Sequence, residues 1–100
     1  MIKKFTGETI IMPIEVVSDE LTNLDGVKIV FCARHDQVEI IKTPTVEGMI
    51  VTARLESAET LVPGIYYCEF RALIGGVTKV LDYDVVLITN ANIREVITNG

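Results

Sequence analysis

Few residues in this 100-residue chain are equipped for chemistry. The single histidine, His35, sits beside Asp36 in the turn signal His35-Asp36-Gln37. A structural zinc ion takes four ligands from Cys, His and carboxylate side chains, and a catalytic one takes three. One histidine and two distant cysteines do not supply that set. Asp82 and Asp84 flank Tyr83 on one strand, so both point to the same side. Calcium sites gather more oxygens than this pair and close around a glycine turn. The pair therefore reads as a solvated acidic face. Asp19-Glu20 is a second acidic pair, of the kind that 14 acidic residues produce by chance. Ser18 and Ser57 are the only serines, both in polar turns. Neither has a base and an orienting group arranged around it, as nucleophilic catalysis requires. Gly75-Gly76 signals a tight hairpin and not a phosphate loop. The expectation is a chain with no catalytic, cofactor-binding or metal-ligating residues, not an enzyme, and needing no cofactor.

Cys32 and Cys68 fall on separate predicted strands, in the manner of the inter-sheet disulfide of antibody domains. In Tyr66-Tyr67-Cys68 a tyrosine precedes the cysteine by two residues, as it does in a tyrosine corner. Yet no tryptophan is present to pack on such a bridge. Strand alternation also turns Cys68 inward and Cys32 outward, so the sulfurs do not meet. The opening Met1-Ile2-Lys3-Lys4-Phe5-Thr6-Gly7-Glu8 is too polar and too brief for a signal peptide. Reduced thiols and a cytoplasmic start follow as expectations.

Strand signals dominate the elements that would position these residues. In Glu8–Val17, Ile10, Met12, Ile14 and Val16 share one face, the period-2 pattern of a strand. Pro13 cannot donate to a ladder, so it marks an edge strand or a break. Val27, Ile29, Phe31 and Ala33 alternate with Lys28, Val30, Cys32 and Arg34. A short strand runs from Val38 to Thr43, and another alternates through Met49, Val51, Ala53 and Leu55. Ser57 caps a predicted helical turn that Pro63 stops. A long strand then begins abruptly after Pro63-Gly64, with Tyr66, Cys68, Phe70, Ala72 and Ile74 on one face. Its partner returns after Gly75-Gly76 with Val77, Lys79, Leu81, Tyr83, Val85 and Leu87 on one face. Residues 89–100 read as a last strand or a tail carrying Ile93, Val96 and Ile97.

Six or seven strands at about ten-residue spacing predict one all-β domain over 1–100. The expected fold is an immunoglobulin-like two-sheet antiparallel sandwich of about seven strands, with a small β-barrel as the alternative.

The net charge is −5, and only Lys3-Lys4 are adjacent among nine basic residues. That excludes the clustered positive footprint of a nucleic-acid binder. No apolar run approaches the ~20 residues of a membrane-spanning helix, so no membrane insertion is expected. The mean hydropathy of +0.41 is high for a small chain. Ile11, Val30, Ile50 and Tyr67 fall on strand faces assigned outward, where a solvated sheet would carry polar residues. These four are the predicted interface residues. Tyr67 and Tyr83 are the aromatics available to a carbohydrate-binding platform.

The order of features resembles the N-terminal immunoglobulin-like domain of phage baseplate upper proteins and related small phage tail components. The residues that carry it are the Gly-acid step in Phe5-Thr6-Gly7-Glu8-Thr9, the apolar strand Ile10–Val17 and the turn Leu24-Asp25-Gly26. Val27–Arg34 follows as a strand ending in a basic residue, and Pro63-Gly64-Ile65-Tyr66 steps into the long strand. The resemblance spans roughly residues 5 to 88. It implies a non-enzymatic virion structural protein of the tail or baseplate, present in host cytoplasm during assembly. Its implied partners are other phage structural proteins and further copies of itself. A carbohydrate- or ligand-binding module is the alternative.

Overall fold

A computed structural model describes residues 1–19, 21–36 and 38–91. Period-2 alternation becomes eight strands among these residues. They are β1 (Ile2–Phe5), β2 (Ile10–Glu15), β3 (Lys28–His35), β4 (Val38–Lys42), β5 (Thr45–Glu47), β6 (Ile50–Leu55), β7 (Gly64–Ile74) and β8 (Val77–Thr89). One 3₁₀ turn, Ser57–Glu59, lies between β6 and β7. The strands form a five-stranded sheet in the order β1-β8-β7-β3-β4 and a three-stranded sheet in the order β2-β6-β5. The described chain is thus an all-β, two-sheet sandwich. Every pairing is antiparallel except β1 with β8, which is parallel.

The core fills the space between the sheets. Ile10 and Met12 from β2, with Val51, Ala53 and Leu55 from β6, face Ile29, Phe31 and Ala33 from β3 and Tyr66, Cys68, Phe70 and Ala72 from β7. The Phe31 and Phe70 rings meet at a centroid distance of 5.0 Å, tilted by 56°, an arrangement that aromatic pairs favour. Pro13 sits on β2, which pairs only with β6. It therefore occupies an edge, where its missing N–H leaves no ladder bond unmade.

Three expectations need correction. First, β1 and β5 were not expected as strands. β1 has four residues, two of them lysines, and β5 has three, all exposed. Segments that short carry too little alternation to read. Second, the long strand β8 does not keep one face along its length. Its register against β7 shifts between Phe70 and Arg71, which leaves Leu81 as the extra residue of a bulge. Val86 and Ile88 point into the core, while Tyr83 and Val85 point away from it. Third, the cap of the helical turn is Glu56, one residue before Ser57. The Glu59 carboxylate reaches back to accept the Glu56 N–H at 3.0 Å and takes Lys42 Nζ at 2.6 Å. Burial pushes the Glu59 carboxyl up, but these contacts outweigh it and hold the group below the usual carboxylate value. Gln37, Ile93, Val96 and Ile97 lie outside the described residues.

The corner between β6 and β7 holds the two sheets in relation. Tyr66 is fully buried, and its hydroxyl donates to the Val62 carbonyl at 2.7 Å. This is the tyrosine corner that Tyr66-Tyr67-Cys68 suggested. Thr60, also fully buried, donates its hydroxyl to the Glu8 carbonyl at 2.7 Å, and its own carbonyl accepts the Gly7 N–H at 3.2 Å. The same short loop is folded on itself, because the Glu8 carboxylate accepts the Phe5 N–H. That bond gives the Gly-acid step its physical role.

Gly64 has φ +149°, and a Cβ there would stand 2.2 Å from the His35 ring. His35 is fixed in turn: its Nδ1 donates to the Ile65 carbonyl at 3.2 Å, and its ring packs on Tyr66 with centroids 5.0 Å apart, tilted by 35°. We expect Gly64→Ala to lower stability by about 2 kcal/mol, through backbone strain and overlap with His35. Adding His35→Ala should recover the overlap part only. Urea denaturation of both single variants and the double variant would measure that coupling.

Candidate interaction surface

Each sheet turns its second face outward, and the two outer faces differ in chemistry. On the three-stranded sheet, Ile11 pairs with Arg54, Pro13 with Thr52, and Glu15 with Ile50. Ile11 and Ile50 are exposed, at 57% and 41%, but each stands opposite a charged residue. They lie at opposite ends of the ladder, so this face offers isolated apolar side chains and no patch.

The five-stranded sheet differs. Its outer face carries Ile41 on β4, Val30 and Cys32 on β3, Ile65, Tyr67 and Leu73 on β7, and Val80 and Tyr83 on β8. Tyr83, Tyr67 and Ile41 are 74%, 64% and 62% exposed. Two ion pairs interrupt the apolar surface. Arg34 meets Glu39 at 3.4 Å across β3 and β4, and Arg71 pairs with Glu69 along β7. These exposed pairs contribute little to stability, but they set a polar centre within an apolar surround. Tyr67, Tyr83, Arg34, Arg71 and Glu69 line a shallow depression of about 450 Å³ there.

The four predicted interface residues therefore separate. Val30 and Tyr67 share the five-stranded face, where Val30 pairs with Arg71 and Tyr67 with Arg34. Ile11 and Ile50 occupy the opposite side of the molecule. Sequence reading missed Ile41, because Val38-Glu39-Ile40-Ile41-Lys42 breaks strict alternation. It named Tyr83 with Tyr67 as platform aromatics but had no register to put both on this face, because the bulge at Leu81 reverses the phase of β8. A register shift opposite Arg71 leaves no local mark that would have given it away.

The cysteines are free. They sit on neighbouring strands of one sheet, with Cys68 opposite Ala33 and Cys32 opposite Glu69. Cys68 points into the core and Cys32 outward. A bridge between the sheets would need a cysteine on β2, β5 or β6, and none of the three has one. Burial, with smaller contributions from Asp84 and Cys32, pushes the Cys68 thiol up to about 12. Burial and the nearby Glu39 also raise the Cys32 thiol.

Among the described residues, no three His, Cys, Asp or Glu side chains cluster to hold a metal ion. No helix among them is long and apolar enough to cross a membrane. No family model matches the chain, and no curated protein matches it.

The thiol environments predict selective alkylation. Native protein treated with iodoacetamide at mildly alkaline pH should take one adduct, at half-buried Cys32, with the rate rising as pH rises. Cys68 should react only after denaturant is added. Peptide mass spectrometry at each step would locate the adducts.

Proposed function

We propose that this chain is a non-enzymatic structural protein that works by association through the outer face of its five-stranded sheet. The observation that carries the reading is the grouping of Ile41, Tyr67, Leu73, Val80 and Tyr83 on that one face. A sheet with one solvated face carries polar residues there. Exposed apolar side chains grouped on one face beyond the usual scatter mark contact sites. Tyrosine and arginine, both present here, are the residue types enriched at the energetic centres of interfaces.

The setting comes from the resemblance to the N-terminal immunoglobulin-like domain of phage baseplate upper proteins and small tail components. It is the tail or baseplate of a phage virion, reached from host cytoplasm during assembly, with other virion structural proteins as partners. The Gly-acid turn at Gly7-Glu8 and the Pro63-Gly64-Ile65-Tyr66 step support that likeness at the level of architecture.

The test is capture of the products of genes adjacent to its own by the tagged chain. Wild type should retain a tail or baseplate protein. Tyr67→Glu and Ile41→Glu should each weaken capture by about tenfold or more, while Ile11→Glu leaves it unchanged. Capture lost only through Ile11→Glu would place the contact on the wrong sheet and sink the reading.

One observation favours a second reading, a carbohydrate- or ligand-binding module. Tyr67 and Tyr83 line the same depression beside Arg34, Arg71 and Glu69, the pairing of apolar rings with polar groups that small ligand sites use. A glycan array should then return hits that Tyr83→Ala removes; an empty array disposes of this alternative.

A further inference from the structure

β8 is longer than its neighbour on one side. β1 pairs with it only over Val86–Thr89, and among the described residues no strand pairs with its outer edge from Val77 to Val85. Unpaired edges invite other strands, and proteins guard them with charges and bulges. Both guards are here. The Asp82 and Asp84 carboxylates each accept the next N–H of their own strand, Tyr83 at 2.8 Å and Val85 at 2.7 Å. Those two N–H groups therefore point to the free edge. Antiparallel alternation from the closing pair Ile74 and Val77 turns the N–H groups of Thr78 and Val80 to the same edge.

The bulge has a consequence for symmetry. Lys79 lies opposite buried Ala72, Asp82 opposite buried Phe70, and Asp84 opposite buried Cys68, so all three are on the inward face. Leu81 packs against the core. Val80 and Tyr83 lie opposite Arg71 and Glu69 on the outward face. From Lys79 to Asp84 the faces run in, out, in, in, out, in. That order is the same read in either direction. A regular strand of even length could not give it.

We propose that the free edge of β8 pairs antiparallel with the same edge of a second copy of this chain, about a two-fold axis between Leu81 and Asp82. In this register Val80 meets the partner's Tyr83 on the outer face, and Lys79 meets the partner's Asp84 on the inner face. The outward backbone groups also coincide: Val80 faces the partner's Tyr83, and Thr78 faces the partner's Val85. This completes roughly eight intermolecular ladder bonds. Lys79 and the partner's Asp84 form non-hydrogen-bonded pairs, where side chains come closest. Met1, whose amine lies 4.0 Å from Asp84, gives that carboxylate up to the incoming lysine.

The guarding charges then act as selectors. A foreign strand meets the two carboxylates Asp82 and Asp84, of which only Asp84 has a cation nearby, the Met1 amine, whereas a second copy brings Lys79 to Asp84. The two Asp82 carboxylates meet near the axis, which weakens the pair and keeps it reversible. This inference rests on the association reading above and names one partner for it. It joins the two five-stranded sheets edge to edge, so their outer faces become one surface.

Sedimentation velocity over a concentration series up to about 0.5 mM tests it. Wild type should move from the 11.1 kDa monomer toward twice that mass. Lys79→Glu and Asp84→Lys should each weaken the dimer by about tenfold or more. The Lys79→Glu/Asp84→Lys double variant should restore it, and Asp82→Asn should tighten it. Val80→Pro removes an edge N–H without touching charge and should also leave a monomer, with circular dichroism confirming the fold. A wild-type monomer throughout the series, or a dimer indifferent to the single charge reversals, overturns the proposal. Capture of a neighbouring gene product through Tyr67 by a strictly monomeric chain would defeat only the edge pairing. A β8 dimer that captures nothing would defeat only the proposed function.

Discussion

The hydrogen bond from the Tyr66 hydroxyl to the Val62 carbonyl is the constraint on which the rest depends. It closes a loop of four residues at the point where the chain leaves one sheet and enters the other. Tyr66 is buried, so an unpaired hydroxyl there would cost about 1–3 kcal/mol. Once the bond is made, the start of β7 is fixed. β7 then carries β3 on one side and β8 on the other, and through them the whole five-stranded sheet. The His35 ring fills the space beside Gly64 so tightly that no side chain fits at Gly64. Thr60 ties the same corner to the loop between β1 and β2.

Much of this was legible in the residues. The alternation of Ile10, Met12 and Ile14, of Ile29, Phe31 and Ala33, and of Tyr66, Cys68, Phe70 and Ala72 is a strictly local pattern, and the buried faces follow it. Pro13 at an edge and Cys32 turned away from Cys68 came from the same logic of pleat and ladder. What escaped was non-local. The bulge at Leu81 is a property of how β8 registers against β7, and nothing in Leu81 itself declares it. The parallel β1 strand is held by its partner and by the Glu8 turn, not by its own pattern. Outward apolar residues were visible singly, but sheet order alone decides that Tyr67 and Tyr83 belong together and that Ile11 does not.

The two outer faces show how similar composition can serve different ends. Opposite Ile11 and Ile50 the ladder places Arg54, itself paired with Glu56 at 2.7 Å, and Glu15, and the face remains mixed. Around Tyr67 the neighbours include Ile65, Val85 and Cys32, and the charges that are present pair with one another. Paired charges cost less to cover than single ones, since each has a partner when water leaves. The polar centre of the five-stranded face is therefore compatible with burial under another protein.

The parallel pairing of β1 with β8 joins the two ends of the described chain, Ile2 beside Val86 and Phe5 beside Thr89. Every other strand can find a partner before the last one is made. β1 cannot. On a ribosome it emerges before the other described strands and must wait for almost all of them before its hydrogen bonds exist. A contact of such long sequence separation is costly to close early, so β1, made before the other seven described strands, is the last to be seated. The sandwich thereby gains a late step that latches both ends of the described chain in one motion.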